Sequence, residues 1–315
     1  MSALWITLGV LGGVLLLSLA VTLYCFFKIF YSPSRKPLGE DDFPIPPGEE
    51  YEVHREAMVN WIREARALPH RDMEIVSHDG LTLRGKYYEC EPGAPIEILF
   101  HGYRGTAERD MSGGIARCFA LGRSALLVDH RGSGRSDGHV ITFGEKERLD
   151  AVRWVDAVLR EIDPEAKIIL TGISMGAATV MLASSMPLPK NVVGVLADCG
   201  YTSTKAIIMK VITDMGLPPR VLYPFVRLSA RVFGGFDPDA NAPVKSVAST
   251  SLPVIFFHGD ADTFVPCDMS RENYEACASK KKRLVIIKSA AHGTAFPTDK
   301  EGYLQEAGAF FRNLL

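Results

Sequence analysis

Hydrophobic residues fall along this chain in three rhythms. From Ala3 to Phe27 they run without a single charge, dominated by Leu, Val, Ile and Phe. A run of that length predicts a membrane-spanning helix over 3–27. Its start, MSALW, has no Lys or Arg, and its exit, YCFFKIFYSP, is bulky, which favours an uncleaved anchor over a cleaved signal peptide. Residues 28–50 carry prolines and acids and predict a linker. Tyr51, Met58, Trp61, Ile62, Ala65 and Leu68 then follow at roughly helical spacing, which predicts an amphipathic packing helix over 51–71.

From residue 72 short apolar runs alternate with amphipathic stretches. MEIVSHDG and LTLRGKYYE read as two strands joined at His78-Asp79-Gly80, a strong hairpin signal. IEILF, SALLV, KIILT, VVGVLAD, PVIFF and RLVII read as strands, the continuous runs among them as strands buried on both faces. Between them lie helical stretches such as EKERLDAVRWVDAVLREI, where Leu149, Val152, Val155, Leu159 and Ile162 share a face. The rhythm predicts an α/β fold over 72–315 with a mostly parallel, doubly wound sheet. Ligands of such sheets bind outside the carboxyl ends of the strands.

The chemically able residues stand at those ends. Ser174 closes IILTGIS, Asp262 closes VIFFHGDAD, and His292 stands near the end of LVIIKSAAHG. A serine on a sharp strand-to-helix turn needs strained backbone angles to project its Oγ, and neighbours two residues away on each side crowd together. Gly172 and Gly176 supply the missing Cβ atoms. In this pattern Ser174 is the candidate nucleophile, His292 its base, and Asp262 the group that orients the base. Asp260 and Asp198 compete for the acid's place, with loop bracing as the plainer role for Asp260. The oxyanion donors are expected from the Met175 N–H, just after the nucleophile, and the Tyr103 N–H in His101-Gly102-Tyr103-Arg104-Gly105, where Gly102 permits a close backbone approach. The stretch Asp129–Ser136 lacks both phosphate-loop patterns and reads as a structural turn braced by Asp129 and Arg131.

Composition narrows the classes. The chain has 315 residues, 47% hydrophobic, with a formal net charge of -2, so no basic field favours nucleic acid. The run Lys280-Lys281-Lys282-Arg283 suits a helix C-terminus. Lys28, Arg35 and Lys36 all follow the apolar run, which predicts a cytoplasmic catalytic domain. Outside the run are Cys90, Cys118, Cys199, Cys267 and Cys277, an odd number without a C-x-x-C pattern, as expected of reduced thiols with no structural zinc. Gly9 and Gly13 form a GxxxG, read as ordinary glycines of a membrane helix.

Taken together, HGYRG, DHRGSGRSDG, GISMG, HGDADTFVP and AAHG resemble the α/β-hydrolase family over roughly residues 72–315. The anchored layout resembles its Bem46-like and ABHD-type serine hydrolases. The resemblance implies the α/β-hydrolase fold and no metal or organic cofactor. Its substrates range over esters, thioesters, amides and lipids, so the fold alone does not choose among them. The segment 201–247 falls where that family inserts a helical lid. Its apolar face, including Ile207, Val211, Met215, Leu222 and Phe225, is the expected acyl-binding surface. The expected function is a serine hydrolase (EC 3.1.1 class) cleaving carboxylic esters, with hydrophobic acyl or lipid-like esters as substrates. A peptidase, amidase or acyltransferase using the same residues is the alternative, and a dead membrane-bound binding protein a third.

Overall fold

The computed structural model describes residues 2–33, 39 and 41–315. Arg35 and Lys36, and with them part of the expected linker, lie outside the described residues. The strands are β1 (Arg71–Val76), β2 (Thr82–Tyr88), β3 (Ile96–Phe100), β4 (Ser124–Val128), β5 (Ile168–Ile173), β6 (Val192–Asp198), β7 (Val254–Gly259) and β8 (Lys282–Ile287). The first helices are α1 (Ser2–Cys25), α2 (Glu49–Glu52), α3 (Arg55–Ala67), α4 (Ala107–Ala120), α5 (Glu147–Glu161) and α6 (Met175–Ala183). Then come α7 (Thr204–Asp214), α8 (Pro219–Ser229), α9 (Pro243–Val247), α10 (Cys267–Ala276), α11 (Ala295–Thr298) and α12 (Lys300–Phe311).

The strands form one sheet in the order β1-β2-β4-β3-β5-β6-β7-β8. β1 and β2 are antiparallel to their neighbours, and every pairing from β4 to β8 is parallel. The β1–β2 turn is built as its Asp-Gly signal demands. Gly80 takes φ 87°, the Ser77 hydroxyl donates to Asp79 at 2.7 Å, and the Leu81 N–H closes back on Ser77 Oγ at 2.9 Å. β3, β4 and β7 are buried at every position, because helices cover both faces of the sheet.

α5 packs one step around from the expected face. Ala151, Trp154, Val155, Ala157 and Val158 are buried, whereas Leu149, Val152, Leu159 and Ile162 are half-buried. Trp154 sets the phase: an added Cβ on Gly85 of β2 would meet the indole at 3.2 Å, so the ring fills the space that glycine leaves. An indole buries more apolar area than any aliphatic side chain, and the helix rolls to place it at the centre.

The basic run near residue 281 straddles an element boundary. Lys282 opens β8, and its ammonium donates to the carbonyls of Tyr274 (2.9 Å) and Cys277 (2.8 Å) at the end of α10, a favourable place for a cation. All six cysteines are free thiols.

The apolar N-terminal helix does not end in a loose tether. After Cys25 it widens into a π-helical turn, Phe26–Phe30. Phe30 is fully buried (0% exposed) and meets Phe143 at 5.7 Å and Phe236 at 5.3 Å between ring centres. Its carbonyl accepts from Ile141 N–H at 2.8 Å, and Ser32 N–H donates to His139 O at 2.8 Å. The linker boundary expected at residue 28 therefore falls inside a docked segment. In sequence, FFKIFY is indistinguishable from the aromatic belt at a membrane surface.

The segment 201–247 forms a helical cap of α7, α8, a π-helical turn (Ala230–Gly234) and α9. One apolar cluster joins this cap to the N-terminal segment and to the top of the sheet. It includes Phe26, Phe30, Phe143, Met175, Ile207 and Val226.

Candidate active site

At the end of β5 the chain turns into α6 within one residue. Ser174 sits there at φ 56°, ψ -114°, in the left-handed half of backbone space. A non-glycine residue held there stores strain, and it persists only where its surroundings fix it. The flanking glycines show the cause. A Cβ on Gly172 would lie 2.2 Å from the Gly176 carbonyl group, and a Cβ on Gly176 would lie 1.9 Å from Phe100 O. Both contacts are with backbone that cannot retreat, so the turn closes only with glycine at both places. Ser174 N–H donates to Asp198 O at 2.8 Å, which ties the turn to β6.

Three side chains from three strand ends meet here. His292 Nε2 lies 2.9 Å from Ser174 Oγ, and His292 Nδ1 lies 2.7 Å from Asp262 Oδ2. With Nδ1–H donating to the carboxylate, the Nε2 lone pair is left to accept the hydroxyl proton. Phe264 stands edge-on to the imidazole, 5.0 Å between ring centres.

Asp262 is held from several sides. Its Oδ1 accepts from the N–H groups of Phe264 (2.9 Å) and Val265 (2.8 Å). Burial pushes its pKa up, but hydrogen bonds from His258 and His292 outweigh burial and hold it at about 2. His258 escaped the sequence reading. It is fully buried, and its Nε2 faces both Asp262 Oδ2 (3.1 Å) and Val265 O (2.8 Å), so that nitrogen carries the proton and donates to both. Its Nδ1 then accepts from the Ser270 hydroxyl at 2.7 Å. The available signal was its place on the buried strand VIFFHG, where a polar side chain needs a reason.

The competing acids are occupied elsewhere. Asp260 accepts from Ser289 N–H at 2.6 Å and braces a loop. Asp198 accepts from the Tyr303 hydroxyl at 3.0 Å. Asp129 receives the N–H groups of Ala107 (2.8 Å) and Arg135 (3.0 Å), and Arg131 clamps Asp150 (2.7 Å) and Asp79 (2.8 Å), so these two residues brace the loop after β4.

Gly102 lies against the serine: an added Cβ would sit 3.5 Å from Ser174 Cβ. That brings the 102–103 peptide alongside the nucleophile, and Met175 opens α6, where N–H groups point out of the helix end. The Tyr103 side chain turns the other way. Its hydroxyl donates to Ile29 O at 2.7 Å and its ring packs on Phe143. Of the five apolar cap residues expected at the site, Ile207 is buried in the cluster containing Met175, and Leu222 and Phe225 pack against that cluster. Val211 is half-buried, and Met215 lies outside the cluster, 64% exposed after the end of α7.

Beneath the site, His101 and His130 are buried and paired. His130 N–H donates to His101 Nε2 at 3.0 Å, and His130 Nε2 donates to His101 O at 3.1 Å. Burial holds the His130 pKa down at about 4, against an ordinary 6.5. The unfolded chain therefore binds the extra proton first, and stability falls as pH drops from 6.5 to about 4, by about 3 kcal/mol. Asp262 acts lower: the stability it contributes is present above pH 3.8 and fades as pH falls towards 2. Unfolding measured against pH for the parent and His130→Gln checks the first window. The variant should lose the slope between pH 6.5 and 4; an unchanged slope would rule His130 out as its source.

The serine aminopeptidase S33 family model matches residues 95–209. The protein Bem46 of Schizosaccharomyces pombe is 24% identical over 305 residues, covering 93% of this chain and 90% of that one. The chain has the α/β-hydrolase fold. Over nearly its whole length it is similar to Bem46. The uncharacterized protein YqkD of Bacillus subtilis is 24% identical over 195 residues, 62% of this chain and 64% of its own length, so that match spans a little under two thirds of the relative. Among solved structures, the Pyrococcus furiosus esterase Pf2001 superposes with a TM-score of 0.63 at 24% identity, covering 79% of this chain and 93% of that one.

Proposed function

We propose that this α/β-hydrolase is a membrane-anchored serine esterase that forms an acyl-enzyme on Ser174. The observation that carries the reading is the hydrogen-bonded chain Ser174–His292–Asp262, at 2.9 and 2.7 Å, with the serine held in a strained turn. His292 Nε2 takes the hydroxyl proton as Ser174 Oγ attacks the ester carbonyl. The oxyanion is received by the N–H groups of Met175 and Tyr103. His292 then protonates the departing alcohol, and a water activated by the same nitrogen releases the acid. The apolar cluster formed with Ile207, Leu222 and Phe225 suits a hydrophobic acyl group.

An ester fits better than the N-terminus of a peptide. An aminopeptidase needs a carboxylate beside the nucleophile to receive the substrate's ammonium. The acid nearest Gly102, Asp110, is already bound by Arg109 (2.5 Å) and by Gly102 N–H (3.2 Å). We read α1 as the anchor: Ala3–Phe30 is long and apolar enough to cross a membrane, and its most apolar 18-residue stretch, with a mean hydropathy of 2.3, is almost wholly exposed. The basic residue Lys28 at its end favours a cytoplasmic catalytic domain.

Labelling of the full chain with a fluorophosphonate probe tests the nucleophile. An adduct mapped to Ser174, absent in Ser174→Ala and His292→Ala, is the expected result; a folded protein without an adduct would sink the reading. His258 offers a finer check. His258→Ala removes a donor from Asp262 and should lower kcat for a p-nitrophenyl ester about 10- to 100-fold, in the range of partners that orient a working group. His258→Gln, which can keep a donor, should recover part of it.

A further inference from the structure

The cap carries an apolar face that the domain does not cover. On α8 and the π-helical turn after it, Val221, Leu228 and Val232 are exposed by 60%, 49% and 61%. They recur at i, i+7 and i+11, one side of a helix, with Pro224 completing the stripe. The turn before α8, Met215-Gly216-Leu217-Pro218, is uncharged, and Met215 and Leu217 stand in the open. Such a surface is costly in water.

Its position says what covers it. α8 packs directly on α1, and the turn after α8 packs on the π-helical turn that ends the apolar segment, with Phe233 against Phe26 at 5.6 Å. A hydrocarbon core needs about 20 helical residues. Any such window within the uncharged run 3–27 contains residues 8–22. Within that stretch the side of α1 bearing Ser18, Val21 and Thr22 is turned inward, and Thr22 is buried. Thr22 satisfies its hydroxyl on Ser18 O at 2.7 Å, as a dry environment requires. The cap helix on this face of α1 therefore reaches hydrocarbon depth in every register of the span. Beside the stripe, Arg220 has an aliphatic stem long enough to lift its charge to the headgroups, while Arg227 is neutralised by Asp237 at 2.8 Å and Arg231 lies 3.9 Å from the same carboxylate.

We propose that the α7–α8 hairpin is itself seated in the lipid bilayer beside α1, with the Val221–Val232 stripe against acyl chains. The inference rests on the reading of α1 as a membrane anchor. The hairpin is thus a second, shallow membrane element, and the enzyme's cap opens on lipid.

The test uses the full chain in phosphatidylcholine bilayer discs, with and without bromine on the lipid tails. Val221→Trp and Leu228→Trp place reporters on the stripe, and Val232→Trp is a third should either fail to fold. Lys190→Trp, exposed in the loop before β6, is the reporter at the opposite pole of the sheet. The native Trp5 reports on α1 itself, its signal isolated by comparison with Trp5→Phe. The emission added at 221 and 228 should be blue-shifted and mostly lost in brominated discs, while that at 190 is unaffected. Emission at 221 and 228 as unquenched as at 190, with Trp5 quenched, would overturn the inference and leave the anchor standing. Trp5 unquenched as well would overturn both.

Discussion

Replacing Ser174 with alanine is expected to lower kcat for ester hydrolysis by about four to six orders of magnitude, with KM little changed. In the proposed mechanism the loss is large because Ser174, His292 and Asp262 act as one unit. Without Oγ the imidazole has no nucleophile to activate, and the ordered carboxylate beneath it has no imidazolium to stabilise. Ground-state binding changes little, because Ser174 is small and the apolar cap cluster that would hold the acyl group is untouched. His292→Ala should cost nearly as much. The double variant should lose no more than the worse single one, since each breaks the same relay. Initial rates on p-nitrophenyl esters of the full chain read this directly. Single losses of only tenfold, or losses that multiply in the double variant, would mean that the three side chains do not work together.

The second large effect lies away from the chemistry. Glu97, the second residue of buried β3, takes Arg117 at 2.6 Å, Arg123 at 2.5 Å and the Thr171 hydroxyl at 2.9 Å. Burial alone would raise its pKa, yet the two guanidinium groups hold it at about 2. Glu97→Ala leaves two cations in the core with no anion, and breaking a buried pair from one side costs about 3–5 kcal/mol. For a domain of this size that is a fall in Tm of about 10 °C. Glu97→Gln keeps the shape and one acceptor, so its loss should be smaller. Thermal unfolding followed by tryptophan fluorescence separates the three proteins. A Glu97→Ala variant as stable as the parent would mean that water reaches the arginines.

These two sites differ in how they appear in the sequence. The meeting of Ser174, Asp262 and His292 could be anticipated because each follows an apolar run, and because glycines two residues on either side of the serine signal a tight turn. Glu97 was in plain view as one acid inside IEILF, but its partners sit on other elements 20 and 26 residues away, and spacing alone does not join them. His258 was hidden differently: its partner Asp262 is only four residues on, but nothing in VIFFHGDAD tells which of the two acids turns back to the imidazole. The roll of α5 escaped because hydrophobic periodicity weighs leucine and valine by number, whereas the sheet selects the face bearing the largest ring. The docking of residues 26–32 escaped because aromatic residues at a membrane surface and aromatic residues in a protein core are written alike.

The Tyr103 hydroxyl bond to Ile29 O has a practical corollary for protein engineering. The loop that carries one candidate oxyanion donor is clipped to the segment that follows the apolar helix, and Arg104 adds further bonds to the carbonyls of Lys28 and Tyr31. The apolar helix and the α/β domain are therefore not separable modules with a cut site between them. A graft that swaps that helix for another, or a version that discards it, must carry Phe26 to Ser32 along as part of the domain. The working N-terminus of the enzyme lies inside what looks like its tether.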